Sequence, residues 1–121
     1  MEIKCFEGIF AVCKIHDFSE IPYDEKFCFI GKTDEELSLV CLQEHVPDSL
    51  IACEKGWRLL KLQGILDFDM VGVLAGITKV LADANISLFA VSTFNTDYIL
   101  VKEEWFDKAL KALEEAGHTL V

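Results

Sequence analysis

Asp67-Phe68-Asp69-Met70-Val71-Gly72 is where a strand gives way to an amphipathic helix, and reading outward from it decides the fold. Upstream, Trp57-Arg58-Leu59-Leu60-Lys61-Leu62-Gln63-Gly64 reads as a strand, with Leu60 and Leu62 on one face and a glycine closing it. Downstream, Met70, Val73, Leu74, Ile77, Val80, Leu81 and Ala84 recur at the spacing that lines one side of a helix. Asp69 suits the N-cap, because its carboxylate can accept a hydrogen bond from the amide of Val71 or Gly72. Asn85 suits the opposite end, where a left-handed residue stops the helix. Residues 87–93 and 97–101 alternate as strands around the turn Phe94-Asn95-Thr96. A second helix then carries Phe106, Ala109, Leu110 and Leu113 on its apolar face, spaces Asp107, Lys111 and Glu115 as ion pairs, and stops at Gly117. Residues 118–121 suffice for a short last strand, so the order is strand, helix, strand, strand, helix, strand.

That order, with Gly64-Ile65-Leu66-Asp67-Phe68, Val71-Gly72-Val73-Leu74-Ala75, Leu81-Ala82-Asp83-Ala84-Asn85-Ile86-Ser87 and the run from Val91 through Thr96-Asp97-Tyr98 to Val101, resembles the ACT domain. The resemblance is to the aspartate-kinase type of this small regulatory module, also found in stand-alone ACT proteins and in the cytosolic CASTOR arginine sensors. It covers the whole C-terminal half.

The 121 residues can form one domain or two half-sized units, and an apolar fraction of 52% is enough to fill a core. No run of about 18 apolar residues occurs, and Glu2 and Lys4 follow Met1 in place of a secretory signal, so the expectation is a soluble cytoplasmic protein with no membrane partner. A formal charge of -10, from 21 acidic and 11 basic residues, argues against nucleic acid, since phosphate binding needs clustered Lys and Arg. That exclusion matters because RNA-recognition domains share the ferredoxin-like order of elements.

Cys5, Cys13, Cys28, Cys41 and Cys53 all lie in the N-terminal half, without a Cys-x-x-Cys pair and mostly in apolar surroundings. They read as reduced thiols used as small core hydrophobes. A zinc site needs three or four convergent ligands, and His16, His45 and His118 have no helpful spacing, so no metal and no cofactor is expected.

The N-terminal half begins with the strand-like run Ile9-Phe10-Ala11-Val12-Cys13-Lys14-Ile15 after Gly8. The polar residues 16–26 lack a 3.6-residue period and contain Pro22, which leaves room for one short helical turn. Phe27-Cys28-Phe29-Ile30 reads as a second strand and residues 37–42 as a third, with Thr33-Asp34-Glu35-Glu36 as a turn between them. Pro47-Asp48-Ser49 and Glu54-Lys55-Gly56 bracket the connection to the C-terminal half. The fold class is therefore α+β, with two ferredoxin-like (βαββαβ) ACT-type subdomains: a degenerate one at 1–55 and a complete one at 56–121.

The start of a helix presents unpaired amides at the positive end of its dipole, so a carboxylate can dock there without a basic side chain. Gly72 would let a ligand approach the backbone, and in a helix alanine is favoured over glycine by roughly 1 kcal/mol, so Gly72→Ala is expected to fold as well or better and bind worse. The competing reading is an ordinary capped helix with Gly72 there for packing.

In ACT domains of this type the effector sits between two units, on the first strand-to-helix loop of one and the second strand of either. Carried over by position, the resemblance implies loop contacts at Met70, Gly72, Val73 and Leu74 and second-strand contacts at Ser87, Leu88, Phe89 and Thr93; the capping Asp69 and the helix-start amide of Val71 complete the expected ligand-binding set. Phe89 stands where lysine-sensing relatives place an acidic residue, so a buried ammonium group would lack a partner, and an apolar or aromatic side chain, or no ligand at all, is easier to accommodate. The opposite stripe of the first helix, Gly72, Ala75, Gly76, Lys79, Ala82 and Asp83, is small enough to admit a neighbouring helix.

No phosphate-binding Gly-x-x-x-x-Gly-Lys, Gly-x-Ser-x-Gly elbow or His-Glu-x-x-His occurs, and Asp67 and Asp69 sit two apart as caps rather than as an acid-base pair. The sequence thus points to a non-catalytic, homodimeric regulatory protein that binds a small molecule, an amino acid by resemblance. A ligand-free module that binds a protein partner is the alternative.

Overall fold

In the computed structural model, which describes residues 1–63 and 72–121, the strands are β1 (Glu2–Cys5), β2 (Phe10–Lys14), β3 (Cys28–Lys32), β4 (Leu37–Leu42), β5 (Ala52–Leu62), β6 (Leu88–Ser92), β7 (Asp97–Lys102) and β8 (Thr119–Leu120). The helices are α1 (Val73–Asp83) and α2 (Phe106–Glu115). Two units separate: an N-terminal unit, Gly8–Trp57, and a C-terminal unit that joins Met1–Glu7 to Arg58–Val121.

In the C-terminal unit the strands lie in the order β8, β1, β5, β7, β6. β1 runs antiparallel to β5, with Ile3 opposite Leu62 and Cys5 opposite Leu60, and parallel to β8. Sequence periodicity missed β1, because only Ile3 in Glu2-Ile3-Lys4-Cys5 is fully buried and two charged residues flank it. The first seven residues thereby belong to the C-terminal unit.

Alternation along β5 and β7 sends Leu60, Leu62, Ile99 and Val101 to the helical face, where Ile77 and Leu81 of α1 and Phe106, Ala109 and Leu113 of α2 meet them. Leu59 and Leu100, of opposite parity, are also fully buried. Each helix closes with a pair of Schellman hydrogen bonds. Asn85, at φ 61°, lets the Ile86 amide donate to the Leu81 carbonyl at 2.9 Å, and the Asn85 amide donates to Ala82. At the end of α2, His118 donates to Leu113 and Gly117 to Glu114. The ion pair that forms among the helices' described residues is Lys79 with Asp83, at 2.9 Å; Lys111 pairs with neither Asp107 nor Glu115, contrary to the spacing in the sequence.

The N-terminal unit orders its strands β3, β4, β2 and the first half of β5, all antiparallel. The β3–β4 and β6–β7 hairpins repeat one another sixty residues apart in strand bounds and in register: Cys28 faces Cys41 as Leu88 faces Val101. Thr33 donates its amide to the Glu36 carbonyl at 2.9 Å, as Thr93 does to Thr96. The repeat stops at the helices. Between β2 and β3 the chain forms only the 3-10 turn Phe18–Glu20, capped reciprocally by Asp17 and Glu20. The buried face of this unit is closed by Ile21, Val46 and Leu50, which pack with Ala11, Cys13, Ile15, Leu37, Leu39 and Cys41.

One boundary differs from the sequence expectation. Glu54-Lys55-Gly56 is part of β5 and not a connection, because Gly56, at φ 82°, forms a bulge where the register against β2 shifts. Its amide donates to Gln43 Oε1 at 3.1 Å.

Leu81 is fully buried in the C-terminal core and also sits at the Schellman contact with Ile86. Leu81→Ala is expected to lower unfolding free energy by about 2–5 kcal/mol, measured by urea denaturation.

Candidate functional site

The start of α1 lies further along than the sequence suggests. Gly72 is the N-cap, at φ 85° and ψ 2°, and Val73 is the first helical residue. Asp69, expected as the cap, lies with Met70 and Val71 outside the described residues. The first α-helical bond runs from the Gly76 amide to the Gly72 carbonyl at 2.9 Å. The amides of Val73, Leu74 and Ala75 therefore have no acceptor within the helix. The side chains of Val73 and Leu74 pack against the core, so what these residues can offer a ligand is backbone.

The conformation of Gly72 overturns the expectation for its alanine variant. A positive φ brings the Cβ of an L-residue against its own carbonyl, so alanine at Gly72 is strained even though no described atom lies within 4 Å of the position a Cβ would take. Among the described residues, close packing does not account for this glycine either. Gly76, inside α1, is the position where the helix propensity argument applies, and its Cβ direction is open too.

The second-strand residues are spread along β6, which ends the strand order of its unit and pairs with β7. Ser87 is exposed and follows the C-terminal end of α1, where a depression of about 260 Å³ is lined by Ala82, Asn85, Ile86 and Ser87. Gly72 lies at the other end of that helix, about 16 Å away along eleven residues. Leu88 packs on the helical core and Phe89, next in the strand, faces the other side of the sheet. Thr93 is exposed beyond the far end of β6, in the turn to β7. The structure therefore divides the set: Gly72, Val73 and Leu74 form one group at the start of α1, Ser87 and Leu88 lie by its other end, and Thr93 is separated from them by the length of β6.

The Thr93 turn is anchored by a residue that the sequence did not single out. Thr96 is 4% exposed, and its hydroxyl donates to the carbonyl of Leu62 at 2.6 Å, fastening the turn to the end of β5. Thr93 Oγ1 in turn donates to the Thr96 carbonyl at 2.9 Å. A Thr after Phe94-Asn95 reads as turn chemistry, and nothing in the spelling says that its hydroxyl is buried. In the N-terminal unit a cavity of about 440 Å³ lies beside the equivalent turn, where Lys14, His16 and Lys32 face Asp17, Asp34, Glu35 and Glu36. Among the described residues no group of three or more His, Cys, Asp or Glu side chains converges as metal ligands do.

Residues 52–115 match the ACT domain family. The chain belongs to that family. A second family, described as an N-terminal domain, matches residues 8–49, within the N-terminal unit. The cytosolic arginine sensor for mTORC1 subunit 1 of Homo sapiens is 37% identical over 70 residues, the match covering 55% of this chain and 21% of that protein. The chain thus spans about a fifth of the curated relatives it matches. A crystal structure of a protein from Agobacterium tumefaciens superposes with a TM-score of 0.88 at 30% identity, covering 99% of this chain and 91% of that one. The regulatory subunit of aspartate kinase from Thermus thermophilus shares the fold, with a TM-score of 0.59 at 10% identity over 90% of this chain and 91% of that one. This ACT chain has the α+β, ferredoxin-like fold of those structural relatives.

The two glycines of α1 are expected to respond oppositely to alanine. Gly72→Ala should lose about 1–2 kcal/mol through its positive φ, while Gly76→Ala should gain about 0.5–1 kcal/mol, read as shifts of the chemical denaturation midpoint. Thr96→Val keeps the shape and removes the hydroxyl that donates to the Leu62 carbonyl, so it should cost about 0.5–1.5 kcal/mol.

Proposed function

We propose that this ACT chain is a non-catalytic regulatory protein whose C-terminal unit binds a free amino acid at the start of α1. The observation that carries this reading is Gly72: an exposed left-handed N-cap followed by three amides without acceptors in the helix, with no described atom within 4 Å of the position its Cβ would take. The amides of Val73, Leu74 and Ala75 would hold the α-carboxylate, with the helix dipole supplying the charge complement. Asp69, Met70 and Val71 complete the loop side of the proposed site. Ser87, Leu88, Phe89 and Thr93 enter it from the second strand of a paired unit, since within one unit they are spread along β6. Phe89 favours an apolar or aromatic effector side chain over a cationic one.

This arrangement requires two copies of the chain, and we propose a homodimer in the cytoplasm with the N-terminal unit, Gly8–Trp57, in a supporting role. No helix among the described residues is long and apolar enough to cross a membrane. A second reading, a partner-binding module without a ligand, is favoured by the exposed small stripe of α1 at Ala75, Gly76 and Ala82, which leaves room for a foreign helix.

A thermal-shift screen of the twenty amino acids separates the two. A ligand at 100 times its dissociation constant adds about 2.7 kcal/mol, a rise of roughly 10 °C in the melting midpoint. No rise with any amino acid would leave the partner-binding reading. Light scattering at tens of micromolar is expected to give the mass of a dimer; a monomer would contradict the shared site.

A further inference from the structure

Four of the five cysteines belong to the N-terminal unit, and they share one face of its sheet. Cys13 on β2 is directly opposite Cys53 on β5, and Cys28 on β3 is directly opposite Cys41 on β4. The two pairs differ in how their thiols meet. Cys13 Sγ lies 3.4 Å from Cys53 Sγ, in van der Waals contact. Opposed residues of an antiparallel pair have Cα atoms about 4.5–5.5 Å apart, inside the range that disulfides span.

Exposure also differs between the partners. Cys13 is 3% exposed, whereas Cys53 is half-buried and accessible from solvent. Burial, reinforced by the Cys53 thiol, pushes the Cys13 thiol up to about 12, so Cys13 is a poor first nucleophile. Cys41 is fully buried and pushed up to about 11, again by burial.

We propose that Cys13 and Cys53 are a redox modification site, a cross-strand thiol pair that is oxidised to a disulfide by exchange with a small-molecule disulfide of the glutathione type. In the first step the Cys53 thiolate attacks the small disulfide, forming a mixed disulfide and expelling one small thiolate. In the second, Cys13 gives up its proton and its sulfur attacks Cys53, forming the internal bond and expelling the second small thiolate. The two protein thiols are oxidised, the small disulfide is reduced to two thiols, and the two protons are taken up by those leaving groups. The second step needs no diffusion, because its sulfurs are already in contact, and that proximity offsets the high proton affinity of Cys13. The pair is independent of the amino-acid site and does not rest on it.

The test uses the whole chain, equilibrated with excess oxidised glutathione in mildly alkaline buffer, acid-quenched, unfolded, alkylated and peptide-mapped. The expected result is a fall from five alkylatable thiols to three, with Cys13 linked to Cys53 in a proportion that does not change with protein concentration. The Cys28→Ser, Cys41→Ala double variant should still form the link, and Cys13→Ala should retain glutathione on Cys53. Five free thiols in the native chain, glutathione persisting on Cys53 of the unaltered protein, or a Cys28–Cys41 link in its place would each overturn the proposal.

Discussion

A left-handed residue immediately before Val73 fixes where α1 begins, and the functional reading of the C-terminal unit depends on that single backbone constraint. Had the helix started at Asp69, its side chain would have satisfied the first amides and the dipole would have faced its own carboxylate. With Gly72 as the N-cap, the cap residue itself has no side chain to do so. The helix is instead held from behind, by Val73, Leu74, Ile77 and Leu81 on the core and by the Schellman bonds at Asn85 and Ile86. Among the described residues, the helix is therefore stabilised by its packing and by the bonds at its far end.

The hairpins of the two units are equivalent to the residue, yet the units are not. A helix needs a face of apolar residues at 3.6-residue spacing, and residues 16–26 have neither that period nor, at Pro22, an uninterrupted backbone. The N-terminal unit covers its sheet with Ile21, Val46 and Leu50 from loops, and it places Cys28 and Cys41 where the equivalent hairpin of the other unit has Leu88 and Val101. A thin cover over small thiols leaves Cys53 half-buried, so the degeneracy of this unit and its redox chemistry have the same physical origin.

Where periodicity was long, the sequence was legible: both helices, the two repeated hairpins and the stop signals at Asn85 and Gly117 follow from spacing and turn chemistry. β1 escaped because four residues with one buried side chain carry no period, and its place between β5 and β8 is a long-range pairing. The bulge at Gly56 reads as a connection because Glu-Lys-Gly spells a turn equally well. At the candidate site the glycine was legible and its φ was not, since a glycine at a helix start fits both a first-turn position and a left-handed cap. The burial of the Thr96 hydroxyl is set by the end of β5, thirty-four residues away in the chain, and no local pattern encodes it.

The most direct test of the account is a nitrogen-15 correlation spectrum of the chain, recorded as a mixture of the twenty amino acids is added. Ligand docking on the helix start predicts that the amide resonances of Val73, Leu74 and Ala75 move most, together with that of Thr93, and that those of Gly8–Trp57 stay in place. Resonances of α1 that do not move while others do, or shifts confined to the N-terminal unit, would contradict it.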